Sequence, residues 1–214
     1  RVDLTKVNKR VLESLIRCGA LDFTGVYRSR LMAVLEEALE IEAQAGSVGM
    51  ILDLRGNGGG LVELYEVMAS YFFDEDAPMP EQLFDTWEYD ADAGGFVKAF
   101  VAGRTMHSPR PDIAFTGPLV ILIDQGCASA CEYFTQHLQL LKRAVVVGQH
   151  ASLGAGGFVD RIALPEEVTF QYTAGRTTFR DSDVPNLEAK GVVPDIRIPV
   201  TLETLAAFRN DEDP

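Results

Sequence analysis

The spacing of apolar positions changes character along this chain. From residue 7 to residue 39 it is helical. Val7, Val11, Leu15 and Ile16 form one stripe, and Leu31, Val34, Leu35, Ala38 and Leu39 form a second. Gly19 is a candidate C-cap for the first helix, and the second is predicted over about 28–45. From residue 48 onward, short and largely apolar runs over 50–54, 118–123 and 144–148 predict buried strands. Turn residues and a helical pattern follow each of the first two runs, with Leu61, Leu64, Met68 and Phe72 on one face, then Phe134, Leu138 and Leu141. Between them lie an acidic loop at 74–80 and a predicted hairpin of strands 84–89 and 96–101 turning at 92–95. Residues 158–164 and 168–173 read as a strand pair, 187–195 as a polar turn segment, 196–200 as a short strand and 202–208 as a helix. A polar tail closes the chain. Strands alternating with helices predict an α/β layer fold.

Composition narrows the function classes. The 214 residues carry a net charge of −13. Residues 1–46 balance seven basic against seven acidic groups, so the acidic excess lies wholly beyond them. Such a surface repels nucleic acid and anionic lipid, so no nucleic-acid partner is expected. No apolar run is long enough to span a bilayer. No signal peptide is visible, and the chain opens on Arg1 rather than Met, so the compartment is not readable from its start. The three cysteines, Cys18, Cys127 and Cys131, make no disulfide framework or zinc spacing and read as small buried packing residues. The three histidines are scattered, and no metal or cofactor is expected.

Two turns carry candidate chemistry. Asp124-Gln125-Gly126 ends one apolar strand, and small residues follow before the next helix. Ser129 therefore sits where a strand hands over to a helix N-terminus, a place that exposes a hydroxyl and favours developing negative charge. A nucleophilic serine needs these conditions, and an ordinary capping serine satisfies the same pattern. The second turn, Arg55-Gly56-Asn57-Gly58-Gly59-Gly60, also stands between a strand and a helix. Its backbone amides suit a phosphate, an oxyanion hole or merely a tight turn. No Gly-Lys-Ser/Thr follows, and Leu61 stands where a dinucleotide fingerprint needs glycine.

The segments ILDLRGNGGGL, PLVILIDQGCASACEYF and LEAKGVVPDIRIPV occur in that order. Together, over about residues 38–205, they resemble the C-terminal-processing, or tail-specific, serine peptidases, a family that includes tricorn-like members. The resemblance implies an α/β peptidase core of mixed sheet with flanking helices, of the ClpP/crotonase-like kind. It also implies peptide or protein substrates and usual export from the cytoplasm. Carried over by motif, Ser129 is the nucleophile and Gly60, with Gly59 beside it, and Ala130 supply the oxyanion hole. Glu188 matches a glutamate of the tricorn-like catalytic set. One branch of the family takes its base from a lysine in a loop matching SLGAGG, where this chain has Gly154 and Ala155. The other branch uses a histidine upstream of the DLRGN strand, and no histidine stands there in this chain. His150, on the lysine-bearing loop, is the best local substitute. His137 lies about 12 Å along the helix from Ser129 and does not reach it.

Residues 3–40 resemble a helix-hairpin-helix segment of bacterial DNA polymerase III alpha subunits, without the acidic metal-binding residues of polymerisation. The expected organisation is thus chimeric: a helical segment over 1–46, a peptidase domain over 47–205 and a tail over 206–214. Alternatives to a working peptidase are a catalytically dead peptide-binding module and a nucleic-acid-binding fragment centred on residues 1–46. The sequence leaves the oligomeric state open.

Overall fold

The computed structural model describes residues 33, 35–41, 45–60, 62–73, 82–104, 113–179 and 184–209. The expected helix at 7–16, the acidic loop, His107 and Cys18 lie outside them. Two four-stranded sheets form the frame, one all-parallel and one all-antiparallel.

The parallel sheet has strands β1 (Met50–Asp53), β4 (Leu119–Ile123), β5 (Val145–Gly148) and β8 (Ile196–Arg197) in that spatial order. Helices α1 (Val62–Ser70) and α2 (Ala130–Leu140) follow β1 and β4. Alternate strand residues are buried: Leu52, Ile121, Ile123 and Val146 join Leu138, Phe72 and Phe134 in one core. Burying each such side chain stabilises the fold by about 1.5–3 kcal/mol. Phe72 and Phe134 meet edge to face with centroids 6.0 Å apart. The helical residues 35–41 add Leu35, Ala38 and Leu39 to the buried set, on the face their spacing predicts. Helix α2 is buried on every residue from Ala130 to Leu138, polar ones included. It is a central helix rather than an amphipathic cover.

The second sheet has the order β3-β2-β7-β6, with β2 (Gln82–Asp90), β3 (Gly95–Arg104), β6 (Phe158–Ala163) and β7 (Thr169–Phe179). Both predicted hairpins are present, with Tyr89 opposite Phe96 and Phe170 opposite Ile162. Strand β7 runs six residues past its predicted end. Gly175 and Arg176 hide that continuation in the sequence. A side chain at 175 would collide with the Asp85 carbonyl of β2, so glycine marks a close strand crossing there. The end of β7 ties this sheet to the core, because Phe179 lies 5.5 Å from the His137 ring of α2. A helix α3 (Leu202–Arg209) ends the described chain.

Two local expectations are corrected. The 187–195 segment turns at 188–190 as expected but is not polar throughout, because Leu187 and Val192 are each 2% exposed and belong to the core. Cys127 and Cys131 are buried as expected but are joined in a disulfide, with Cα atoms 5.5 Å apart. A five-residue turn into a helix brings the two sulfurs into bonding range, which counting cysteines does not reveal.

Candidate active site

The glycine turn after β1 and the serine turn after β4 are laced together by the parallel pairing of those strands. Leu54 N–H donates to Leu122 O at 2.9 Å, and Ala128 N–H to Asn57 O at 3.0 Å. One Asp124 oxygen accepts from both Gly56 N–H and Gly126 N–H, each at 2.8 Å. Gly59, at φ +91°, lies directly against the serine turn. A methyl group on it would stand 2.8 Å from Ser129 Cβ and 2.9 Å from Ala130 N. Only glycine fits there, both in conformation and in space. The Gly59 N–H is committed to Asn57 Oδ1 at 2.9 Å, which leaves Gly60 as the candidate donor from this loop.

Ser129 adopts φ +55°, ψ −121°, a conformation rare for a side-chain-bearing residue. It is half-buried between fully buried neighbours. Ala130 begins α2, so its N–H has no intrahelical acceptor and carries the positive end of the helix dipole.

Glu132, which the sequence reading passed over, holds this turn in place. It is completely buried, and its two oxygens receive four hydrogen bonds. Oε2 accepts from Ser129 N–H and Ala155 N–H, both at 2.9 Å. Oε1 accepts from the Ser152 hydroxyl and Gly154 N–H, both at 2.6 Å. The Ser-x-x-Glu spacing of a capping box at 129–132 was the available signal. Ser152 passes the link onward by accepting from Val192 N–H at 2.6 Å, and Leu153 N–H donates to Cys127 O at 2.9 Å. The 152–155 loop is therefore fastened to the serine turn on one side and to the 187–192 segment on the other.

The remaining candidates are placed differently. Gly154 and Ala155, the two positions that could match the lysine of one family branch, both donate to the Glu132 carboxylate that also holds Ser129 N–H, and so stand beside the serine turn. His150 is exposed at the start of the loop. Glu188 is half-buried, its Oε2 3.0 Å from where a Gly157 methyl would be. That oxygen is buried and has no hydrogen-bond partner among the described residues. No hydrogen bond or ion pair among the described residues joins Glu188 or His150 to Ser129. Tyr133 donates its hydroxyl proton to Gly156 O. Burial pushes that hydroxyl up to about 12, and the Glu188 and Glu132 carboxylates add to the rise. His137 lies between Tyr65 and Phe179, and burial lowers it to about 4. It is a neutral core residue.

Among the described residues no cluster of His, Cys, Asp or Glu is arranged to hold a metal ion, and no helix is long and apolar enough to cross a membrane. A serine at positive φ in a strand-to-helix turn, faced by a glycine loop, is an arrangement compatible with a nucleophilic serine. The sequence profile of peptidase family S41 matches residues 19–198, and the chain belongs to that family. It is 28% identical over 177 residues to the carboxyl-terminal-processing protease of Synechocystis, covering 82% of this chain and 37% of that protein. It is 25% identical over 163 residues to the carboxy-terminal processing protease CtpA of Bacillus subtilis, covering 76% of this chain and 31% of that protein. The chain thus spans about a third of the length of these relatives. The photosystem II D1 C-terminal processing protease shares the fold with a TM-score of 0.56 at 23% identity, over 83% of this chain and 40% of that one. Mature CPAF complexed with lactacystin shares it at 0.65 and 16% identity, over 89% and 48%. Separately, 44 residues are 50% identical to the DNA polymerase III subunit alpha of Vibrio cholerae, covering 21% of this chain and 4% of that protein.

Proposed function

We propose that this chain is the catalytic core of a serine peptidase that cleaves polypeptides through an acyl-enzyme on Ser129. One observation carries the reading: Gly59 is packed against Ser129 and Ala130, so that the serine turn and the glycine loop form a single wall. In this reading Ser129 Oγ attacks a peptide carbonyl. The oxyanion is received by the N–H groups of Gly60 and Ala130, with the α2 dipole behind Ala130. Removing one such donor costs about 3 kcal/mol of barrier lowering. The amine leaves with a proton, and water then releases the acyl group. Glu132 positions the serine and makes no contact with the reacting carbonyl. Glu188, with its unsatisfied buried oxygen, is the group that would orient an imidazole base. Carboxyl-terminal processing, the activity for which the relatives are named, is the proposed substrate preference.

A second reading is favoured by a specific observation. Gly154 and Ala155 stand where one family branch carries its lysine base, and among the described residues no histidine or lysine side chain is hydrogen-bonded to Ser129. A chain whose base comes from no other source would bind an extended peptide without cleaving it. The deciding experiment is hydrolysis of an unstructured polypeptide by this chain and by Ser129→Ala, followed by mass spectrometry. Cleavage that Ser129→Ala abolishes supports the peptidase. Peptide binding by both forms without cleavage supports the binding module.

The proposed organisation remains a peptidase domain over 47–205, a helical segment over 1–46 and a tail over 206–214. The Cys127–Cys131 bond supports an oxidising compartment, in keeping with export.

A further inference from the structure

Ser129 is the middle residue of the segment that the Cys127–Cys131 disulfide closes. The bond is thus a covalent strap around the one residue of the site held at φ +55°. Its two ends touch different parts of the site. Cys127 O accepts from Leu153 N–H of the loop beside Ala155, and Cys131 Sγ lies 3.9 Å from Leu54 O, where β1 runs into the glycine turn. Without the strap, the local restraints on Ser129 are hydrogen bonds: Cys131 N–H to Ala128 O at 3.1 Å, Glu132 N–H and Tyr133 N–H to Ser129 O at 2.9 and 3.2 Å, and Ser129 N–H to Glu132. A strained residue persists only where its surroundings over-determine it. A short covalent ring excludes the extended alternatives to which a five-residue turn would otherwise relax.

We propose that the Cys127–Cys131 disulfide is a positioning latch for Ser129, set and released by thiol–disulfide exchange. In the disulfide form the serine is held against the Gly59 loop; in the dithiol form the turn relaxes and the hydroxyl loses its alignment with the amides. The proposal rests on the reading of Ser129 as the nucleophile. Release is a two-electron exchange with a dithiol. One thiolate of the reductant attacks one cysteine sulfur and expels the other as a thiolate, which takes a proton. The second thiol of the reductant then resolves the mixed disulfide, leaving two cysteine thiols and an oxidised reductant. Setting the latch is the reverse exchange with a disulfide donor. Both sulfurs are buried, so exchange must wait for local opening. The latch therefore follows the standing redox poise of a compartment rather than brief fluctuations. It would keep Ser129 slack in a reducing compartment and align it in an oxidising one.

The test uses the full chain in three forms: as the disulfide, after dithiothreitol, and as Cys127→Ser/Cys131→Ser. Peptide mapping follows the 127–131 pair. The first readout is the rate of Ser129 phosphonylation by a fluorophosphonate. Misalignment of this kind is expected to slow the reaction roughly tenfold in the reduced form, with recovery on reoxidation. The double variant should react at the reduced rate with or without dithiothreitol. The second readout is amide hydrogen exchange, which needs no reactivity. Residues 128–132 should exchange roughly tenfold faster on reduction while β4 and β5 stay unchanged. Equal exchange in both forms overturns the latch, as does a loss of protection spread evenly over the parallel sheet. Free thiols at both positions in oxidised protein also overturn it. If Ser129 reacts in neither form, the peptidase reading fails, and the exchange pattern alone decides whether the turn is latched.

Discussion

A methyl group on Gly59 would stand 2.8 Å from the Cβ of Ser129, although seventy positions separate the two in the chain. That closeness follows from the parallel pairing of β1 with β4, which delivers both strand ends to one edge of the sheet. Ligand sites of open α/β sheets form at the carboxyl ends of strands for this reason.

Gly59 and Gly58 should therefore respond very differently to the same substitution. Gly59→Ala forces a Cβ against backbone atoms at φ +91°. It should cost about 2 kcal/mol or more in chemical denaturation and slow Ser129 phosphonylation by about 100-fold. Gly58 has open space around it. Gly58→Ala should stay within about 0.5 kcal/mol and label normally.

Glu132→Ala leaves four donors without their acceptor in a buried place. The expected loss is at least about 3 kcal/mol of unfolding free energy. Ser152→Ala removes one of the four bonds and also leaves the buried Val192 N–H without its acceptor, and should cost about 2 kcal/mol. A Glu132→Ala protein as stable as the parent would mean that this carboxylate is not the tie between the serine turn and the 152–155 loop.

His137 sets a pH dependence. Burial lowers it from 6.5 to about 4, so the unfolded chain binds its proton more readily. Its contribution to stability is complete above pH 6.5 and is lost as pH falls from there through about 4. The loss reaches about 3 kcal/mol, with a slope of up to about 1.4 kcal/mol per pH unit. Replacing it with phenylalanine between Tyr65 and Phe179 should flatten stability measured by denaturation across that window, whatever the absolute stability. An unchanged slope would assign the effect to other groups.

Ala155→Lys tests whether a lysine base can serve this site. The Ala155 and Ser129 amides share Glu132 Oε2, so an amine on residue 155 starts beside the serine turn. A positioned base accelerates proton removal by about 10²–10⁴. Phosphonylation of Ala155→Lys should exceed that of the parent at least about tenfold and rise with pH as the amine deprotonates. Gly154→Lys should not help, because Gly154 has φ +77° and a Cβ there would lie 2.8 Å from Lys190 N.

Much of the frame was legible because period and burial agree in it. The runs over 50–54 and 118–123 are strands, and the glycine and serine turns after them fall where predicted. Gly175 concealed the end of β7 because its reason is a contact across strands, which no local pattern records. Leu187 and Val192 sit in a segment whose charges and glycine suggest a surface turn, yet two apolar side chains suffice to pin it to the core. Glu132 is hard to read because a buried carboxylate is improbable until its four donors are assembled from two separate stretches of chain, residue 129 and residues 152–155. The disulfide is hidden in the sequence because the number of cysteines does not show that two of them lie at the ends of one turn.

The most direct measurement is the site and rate of fluorophosphonate attachment to the folded, disulfide-bonded chain. The account predicts a single adduct on Ser129, absent from Ser129→Ala and strongly slowed in Gly59→Ala. A folded protein that carries no adduct on Ser129, even with lysine installed at position 155, would contradict it.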